Sequence, residues 1–263
     1  MTGGSAMGDN ARLGAMRSNN LLGTTAADGS SLLAAAASGW SRPVPHCPGW
    51  DAADLVRHMG GILAWMAAIV ASRERVSRRS LDPPPASLAD LPAWYSANLR
   101  RTIGILTDTD PGARTWTFSS RGELSAGWWR RRLAVEMAIH RWDAQHAAAI
   151  AGALPPQPLE GPIAAAGVEE FLTEFLPGLL AQDTAGGLGG TLHLHATDGG
   201  SEWWIDLDAR AGAEAIPQHA KADTAIRGTR SSLLLWLTNR ESPASLEIFG
   251  RAEVAQRWNQ LRR

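Results

Sequence analysis

The stretch that decides the fold runs from residue 51 to 77, DAADLVRHMGGILAWMAAIVASRERVS. Its apolar residues Leu55, Met59, Ile62, Met66 and Ile69 recur at helical spacing, which predicts one long helix with an apolar side. Asp51 is suited to the N-cap. Asp54, three residues on, sets a carboxylate against the positive end of the helix dipole. The segment just before, Arg42-Pro43-Val44-Pro45-His46-Cys47-Pro48-Gly49-Trp50, contains three prolines and must be a loop. Asp82-Pro83-Pro84-Pro85 closes the run on the other side.

Working outward, residues 21–37 are Ala/Leu-rich and helical in character. Residues 88–107 carry Trp94, Leu99, Ile103 and Leu106 as an apolar side, and 125–151 form a fourth helical stretch. Four such helices joined by loops predict an antiparallel four-helix bundle over 20–155, preceded by a disordered leader over 1–19. After Leu154-Pro155-Pro156-Gln157-Pro158 the pattern changes. A helix over 162–182 leads into a glycine-rich turn at 186–190, which no Lys-Ser/Thr follows and which is therefore no phosphate loop. Residues 191–196 alternate apolar and polar, and with 202–207 they read as a hairpin across Asp198-Gly199-Gly200. Strands over 222–227 and 245–249 and helices over 231–239 and 253–262 complete a small α+β domain over 160–263. The expected fold class is α+β in two domains.

Composition narrows the function. The 263 residues carry a formal net charge of -1, with no basic excess of the kind nucleic-acid binding needs. Cys47 is the only cysteine, so no intrachain disulfide is possible and no oxidising compartment is required. The most apolar stretch, 62–71, is short for a bilayer span. These features predict a cytoplasmic protein, monomeric or a small homo-oligomer, without membrane or nucleic-acid partners. All but one of the 25 basic residues are arginine, as GC-rich codon usage would give, and 12 Trp stand beside a single Tyr. Those tryptophans are read as mostly core, with one or two walling a pocket.

Seven histidines are present, and two fall in suggestive settings. Glu136 and His140 stand at i and i+4 of the fourth helix, so their side chains share a face. His58 lies within the apolar face of the second helix. One His from one helix and a Glu/His pair from another give three N/O ligands to a divalent metal, with a fourth position open as in catalytic zinc sites. The plainer readings are a surface Glu/His pair and a hydrogen-bonded core histidine.

The words around these residues carry a resemblance. His46-Cys47-Pro48-Gly49-Trp50-Asp51 with Asp54-Leu55-Val56-Arg57-His58-Met59-Gly60-Gly61, followed by Trp129-Arg130-Arg131-Arg132 and Glu136-Met137-Ala138-Ile139-His140-Arg141-Trp142-Asp143, resemble the two signatures of the mycothiol-dependent maleylpyruvate isomerase family. That family belongs to the DinB-like four-helix bundles. The second half, with Asp198-Gly199, Trp204, 222–228 and Leu233 to Arg240, is similar to the sterol-carrier-like domain that accompanies this bundle. The resemblance implies a divalent metal, zinc by expectation, held by His58, Glu136 and His140, the residues that spacing also selects. It implies mycothiol as thiol cosubstrate and Arg240 as a catalytic arginine, although Asn239 stands where the family usually has Gly.

The implied chemistry is the addition of a metal-activated thiolate to a small unsaturated or electrophilic carboxylate, followed by rotation and elimination, which is cis–trans isomerisation. The same apparatus would serve a mycothiol S-transferase in detoxification or natural-product biosynthesis. A non-catalytic DinB-like ligand-binding protein is the third reading. Asp143 is placed to orient the His140 ring, but a surface salt bridge with an arginine is the plainer reading. Arg130-Arg131-Arg132 reads as a solvated face or interdomain contact. Cys47 reads as a residue that packs its loop. His193 and His195 share the outward face of one strand and lack a third ligand.

Overall fold

In a computed structural model of the chain, the described residues are 5–182, 188–209, 215–216 and 218–261, with side chains of the first helix described from Asn20 onward. They divide into two compact units. The first comprises 1–117 and 123–156; the second comprises 118–122 and 157–263.

The first unit is built from α1 (Ser5–Ala37), α2 (Ala52–Ser72), α3 (Leu91–Asp108) and α4 (Ala126–Ile150). α1 begins well before the start at Leu21 read from sequence, and the leader expected over 1–19 falls outside the residues whose side chains are described. The start of α2 follows from its sequence. Asp51 Oδ1 accepts from the Asp54 backbone N–H at 2.9 Å, and Asp54 Oδ2 accepts from the Asp51 N–H at 3.3 Å, a reciprocal capping box. Ser125 caps α4 by accepting from the Trp128 N–H at 3.1 Å. The expected apolar stripe of α2 is buried throughout: Leu55, Met59 and Ile69 are inaccessible and Ile62 and Met66 nearly so. By length and hydropathy alone α2 could cross a membrane, but most of its apolar window is buried inside the bundle, where it forms the core.

α1 packs chiefly on α4, and α2 on α3. The α2–α3 approach depends on Gly60, where a Cβ would run into the Trp94 ring. Buried polar groups are satisfied across the helices. Tyr95 donates its hydroxyl to the Gly29 carbonyl, and Thr102 donates to the Leu63 carbonyl. Much of the tryptophan excess is core: Trp65, Trp116, Trp128 and Trp129 form one cluster of mostly edge-to-face rings. Within it the Trp65 and Trp129 N–H groups donate to the carbonyls of Val76 and Trp116.

The second unit begins with α5 (Gly161–Glu170), a π-helical turn at Phe171–Phe175, and α6 (Leu176–Gln182). These together replace the single helix expected over 162–182. The sheet contains β1 (Thr191–Ala196), β2 (Glu202–Asp206), β3 (Ala215–Ile216), β4 (Thr224–Gly228) and β5 (Glu247–Gly250). Its order is β3-β2-β1-β4-β5, with β1 and β4 parallel and the other pairs antiparallel. α7 (Arg230–Leu237) follows β4, and α8 (Ala252–Arg257) follows β5. Trp236, Trp258 and Phe171 pack together here, and the Trp258 N–H donates to the Leu237 carbonyl at 3.0 Å. The glycine-rich turn read at 186–190 lies partly outside the described residues. A helical unit followed by a small mixed sheet is the α+β architecture expected.

The sheet corrects one reading of its own strand. His193 and His195 do share a face of β1. His193 is nonetheless buried, and the hairpin register sets Glu202 directly opposite His195. The expected lack of further ligand groups fails because that expectation considered β1 alone.

Candidate metal centre

The centre is assembled by α2 and α4. The capping box fixes where α2 starts and hence which way His58 points, two turns into the helix. Glu136 and His140 are one turn apart on α4, as their i,i+4 spacing requires. Glu136 Oε1 lies 3.5 Å from His58 Nε2 and 3.5 Å from His140 Nε2. The two imidazole rings meet edge to face at 5.1 Å. All three donor atoms fall within 4.8 Å of one another.

This donor set fits a divalent ion. A tetrahedral ion with bonds of about 2.0–2.1 Å sets its ligand atoms roughly 3.4 Å apart, close to the observed separations. Three protein ligands leave the fourth position for an exchangeable ligand. The surroundings prepare each donor. Asp143, fully buried, lies with Oδ2 2.9 Å from His140 Nδ1, where it takes the Nδ1 hydrogen and leaves Nε2 as the nitrogen that would bind an ion. Because Asp143 is fully buried, it is no part of a helix-surface salt bridge; the neighbouring Arg141 pairs with Asp28 at 3.0 Å. Cys47 sits in the tight loop before α2, where its sulfur lies 3.8 Å from Asp143 Oδ2. It therefore packs the loop as expected and also supports the carboxylate that orients His140. Arg132, one turn before Glu136, pairs with Glu136 Oε2 and leaves Oε1 turned to the histidines. Of the arginine run, Arg130 is buried and donates to the carbonyls of Leu106 and Thr109, and only Arg131 fits the reading of a solvated face.

Electrostatics follow from these contacts. Burial opposes the charge on Glu136, but Arg132 and the two histidines outweigh it and hold the carboxyl well below its usual range. Burial likewise opposes the charge on His140, yet Asp143, Cys47 and Glu136 together raise the metal-free imidazole well above its ordinary value. A metal ion would take the place of that proton. Beside the centre, the Trp50 ring lies 4.8 Å from that of His58 and forms part of the wall of a cavity of about 470 Å³ on the loop before α2.

Arg240 belongs to the second unit, just past α7. The helix closes with a Schellman motif: the Asn239 N–H donates to the Trp236 carbonyl, and the Arg240 N–H donates to the Leu235 carbonyl at 2.7 Å. This places Asn239 at φ 61°, the left-handed region that glycine favours and asparagine tolerates. The departure from the family's glycine is therefore conformationally mild. The half-buried Arg240 side chain donates to the Thr238 carbonyl through Nη1 at 2.8 Å.

The family model described as "Mycothiol maleylpyruvate isomerase N-terminal domain" matches residues 22–145. The "MDMPI C-terminal domain" model matches residues 162–257. No curated protein sequence matches the chain significantly. Among solved structures, a mycothiol-dependent maleylpyruvate isomerase aligns at a TM-score of 0.57 and 12% identity, covering 89% of this chain and 92% of that one. A mutant of an enzyme of the same name aligns equally well. The ubiquinone synthesis protein UbiJ-SCP2 aligns with 38% of this chain and 93% of its own at a TM-score of 0.29, too slight an overlap to bear on the second unit. Since the two family models match in order and together span most of both units, the chain belongs to the mycothiol-dependent maleylpyruvate isomerase family of enzymes.

Proposed function

We propose that the chain is a cytoplasmic isomerase, dependent on zinc and mycothiol, that converts the cis form of a small unsaturated keto-carboxylate of the maleylpyruvate type to the trans form. One observation carries the reading: Glu136 Oε1 lies 3.5 Å from both His58 Nε2 and His140 Nε2, three N/O donors that would leave a tetrahedral ion one further position. Zinc suits two imidazoles and a carboxylate in tetrahedral array. An ion held there supplies a Lewis acid that lowers the pKa of a thiol.

The chain's own residues account for the rest. Asp143 keeps the Nδ1 hydrogen of His140, so the ring presents Nε2 as a neutral donor. Arg132 keeps Glu136 ionised and orients it. Cys47 is buried against Asp143 and sits in the loop rather than serving as nucleophile, so the reactive sulfur comes from mycothiol. The thiolate adds to the double bond conjugated to the ketone and leaves a single bond that rotates. Elimination expels the same thiolate and restores the double bond in trans. Arg240 is assigned to the substrate carboxylate, which its planar guanidinium can bind in bidentate fashion.

The test is turnover of maleylpyruvate with and without mycothiol, on protein with and without its metal. Turnover is expected only when both are present, with the thiol recovered unchanged. Equal turnover without thiol would remove the mechanism, and consumption of the thiol would convert it to S-transfer. Arg240→Met is expected to raise KM while leaving bound metal unchanged.

A further inference from the structure

The second unit contains a histidine cluster with no part in the proposed reaction. His193 and His195 project from one face of β1, two residues apart, and β2 sets Glu202 against His195. His219, in the segment after β3, closes the group from a third stretch of chain. One carboxylate receives all three rings: Glu202 Oε1 lies 2.9 Å from His195 Nδ1, and Oε2 lies 2.7 Å from His219 Nδ1 and 3.2 Å from His193 Nε2. The ring centroids are 5.2–6.4 Å apart, and one donor atom from each of the four residues falls within 4.8 Å of the others. Three of the seven histidines of the chain therefore converge on one carboxylate.

Hydrogen bonding alone accounts poorly for this arrangement. A carboxylate can accept from all three rings, but one bond to each oxygen would already engage both, so hydrogen bonding does not by itself call for a third imidazole. A transition-metal ion uses all four groups at once. Three imidazole nitrogens and one carboxylate oxygen would give four donors dominated by imidazole, the kind that suits zinc and its neighbours rather than calcium or magnesium. The approach is open, because His219 is 79% exposed and Glu202 and His219 also wall a cavity of about 700 Å³ in the same unit.

We propose that His193, His195, Glu202 and His219 form a second divalent transition-metal site, which clips the segment carrying His219 to the β1–β2 hairpin. This site is independent of the isomerase reading and shares no residue with the first centre.

The test uses the full chain, stripped by chelation and titrated with Zn²⁺, as wild type and as the His58→Ala/His140→Ala variant. Two ions per chain are expected in the wild type and one in the double variant, where that ion raises the thermal midpoint. Adding Glu202→Gln or His219→Ala to the double variant is expected to weaken the remaining ion at least tenfold. Because the first centre is absent from that background, the result there concerns the second site alone, whatever the enzyme assay gives. A wild-type stoichiometry of one, lost in the double variant, would overturn the proposal. Unchanged affinity in the folded His219→Ala chain would also overturn it, since that exposed side chain is no part of the core.

Discussion

Two of the groups of side chains that could hold a metal ion among the described residues, one on the helices and one on the sheet, are built on opposite plans. His58, Glu136 and His140 project from two helices that are core along most of their length, and every donor has a supporting partner behind it. Asp143 stands behind His140, Arg132 behind Glu136, and the Trp50 ring beside His58. His193, His195, Glu202 and His219 sit on a hairpin and the segment beside it, and their contacts are chiefly with one another. Holding an ion, the helical cluster would offer three ligands with heavy outer support and one position to spare, as a site of chemistry requires. Holding an ion, the sheet cluster would offer four ligands with light support, as suits a clip. The difference teaches that ligand count alone does not separate a reactive centre from a structural one. What stands behind the ligands does.

The largest effect should come from Glu136→Gln. It removes a ligand and leaves Arg132 facing a neutral amide in a mostly buried pair. The loss of metal-based stabilisation, several kcal/mol, predicts a fall in kcat/KM of about 10³-fold or more. Metal content should fall with it, and full activity with no metal bound would erase the distinction between the two clusters. Asp143→Asn comes next. It keeps the shape but replaces the anionic acceptor behind His140, so metal affinity should fall by about tenfold, the lower end for such partners. Competition with a chelator measures this, and an unchanged affinity would reduce the outer support to packing.

The pH dependence of the metal-free protein sharpens the same contrast. Glu136 is held below its ordinary value of 4.5, so its contribution to stability is present above that pH and lost as pH falls through the folded value. Metal-free His140 is raised above 6.5, so its contribution is complete below that pH and lost as pH rises through the folded value. Both contributions are therefore whole only between these two ordinary values. Thermal midpoints of chelated protein should peak in that window and decline on the alkaline side. Metal-loaded protein should keep its midpoint to higher pH, because the ion replaces the proton on His140. Coincident curves with and without metal would mean that no ion binds between the helices.

The sequence conveyed the helical cluster far better than the sheet cluster, for a physical reason. Along a helix, proximity is written at fixed offsets, so the i,i+4 pair of Glu136 and His140 and the Asp51/Asp54 cap could be read directly. Asp143 was weighed as an orienting group, but offset alone could not exclude a salt bridge with Arg141. The choice needed the tertiary facts that Asp143 is fully buried and lies 2.9 Å from the His140 ring. Across a sheet, proximity depends on register, and His219 reaches its partners from outside the hairpin altogether. The spacing of His193 and His195 shows a shared face but gives no sign of Glu202 or His219. Asn239 illustrates a subtler limit, since the motif signalled a departure where the backbone registers almost none.

The smallest effect tests the clip itself. His219 is largely exposed and its contact with Glu202 lies at the surface, so in metal-free protein His219→Ala should change stability by no more than about 0.5 kcal/mol, as for other surface substitutions. With zinc present the same substitution should abolish most of the increase in thermal midpoint that the ion gives when the helical centre is disabled. A pure hydrogen-bond cluster predicts the reverse pattern: a modest loss in both conditions and no dependence on metal. The size of the metal-free change therefore matters less than whether it grows when zinc is added. That growth is the property which would make the sheet cluster a metal site, and one that stabilises without taking part in the reaction.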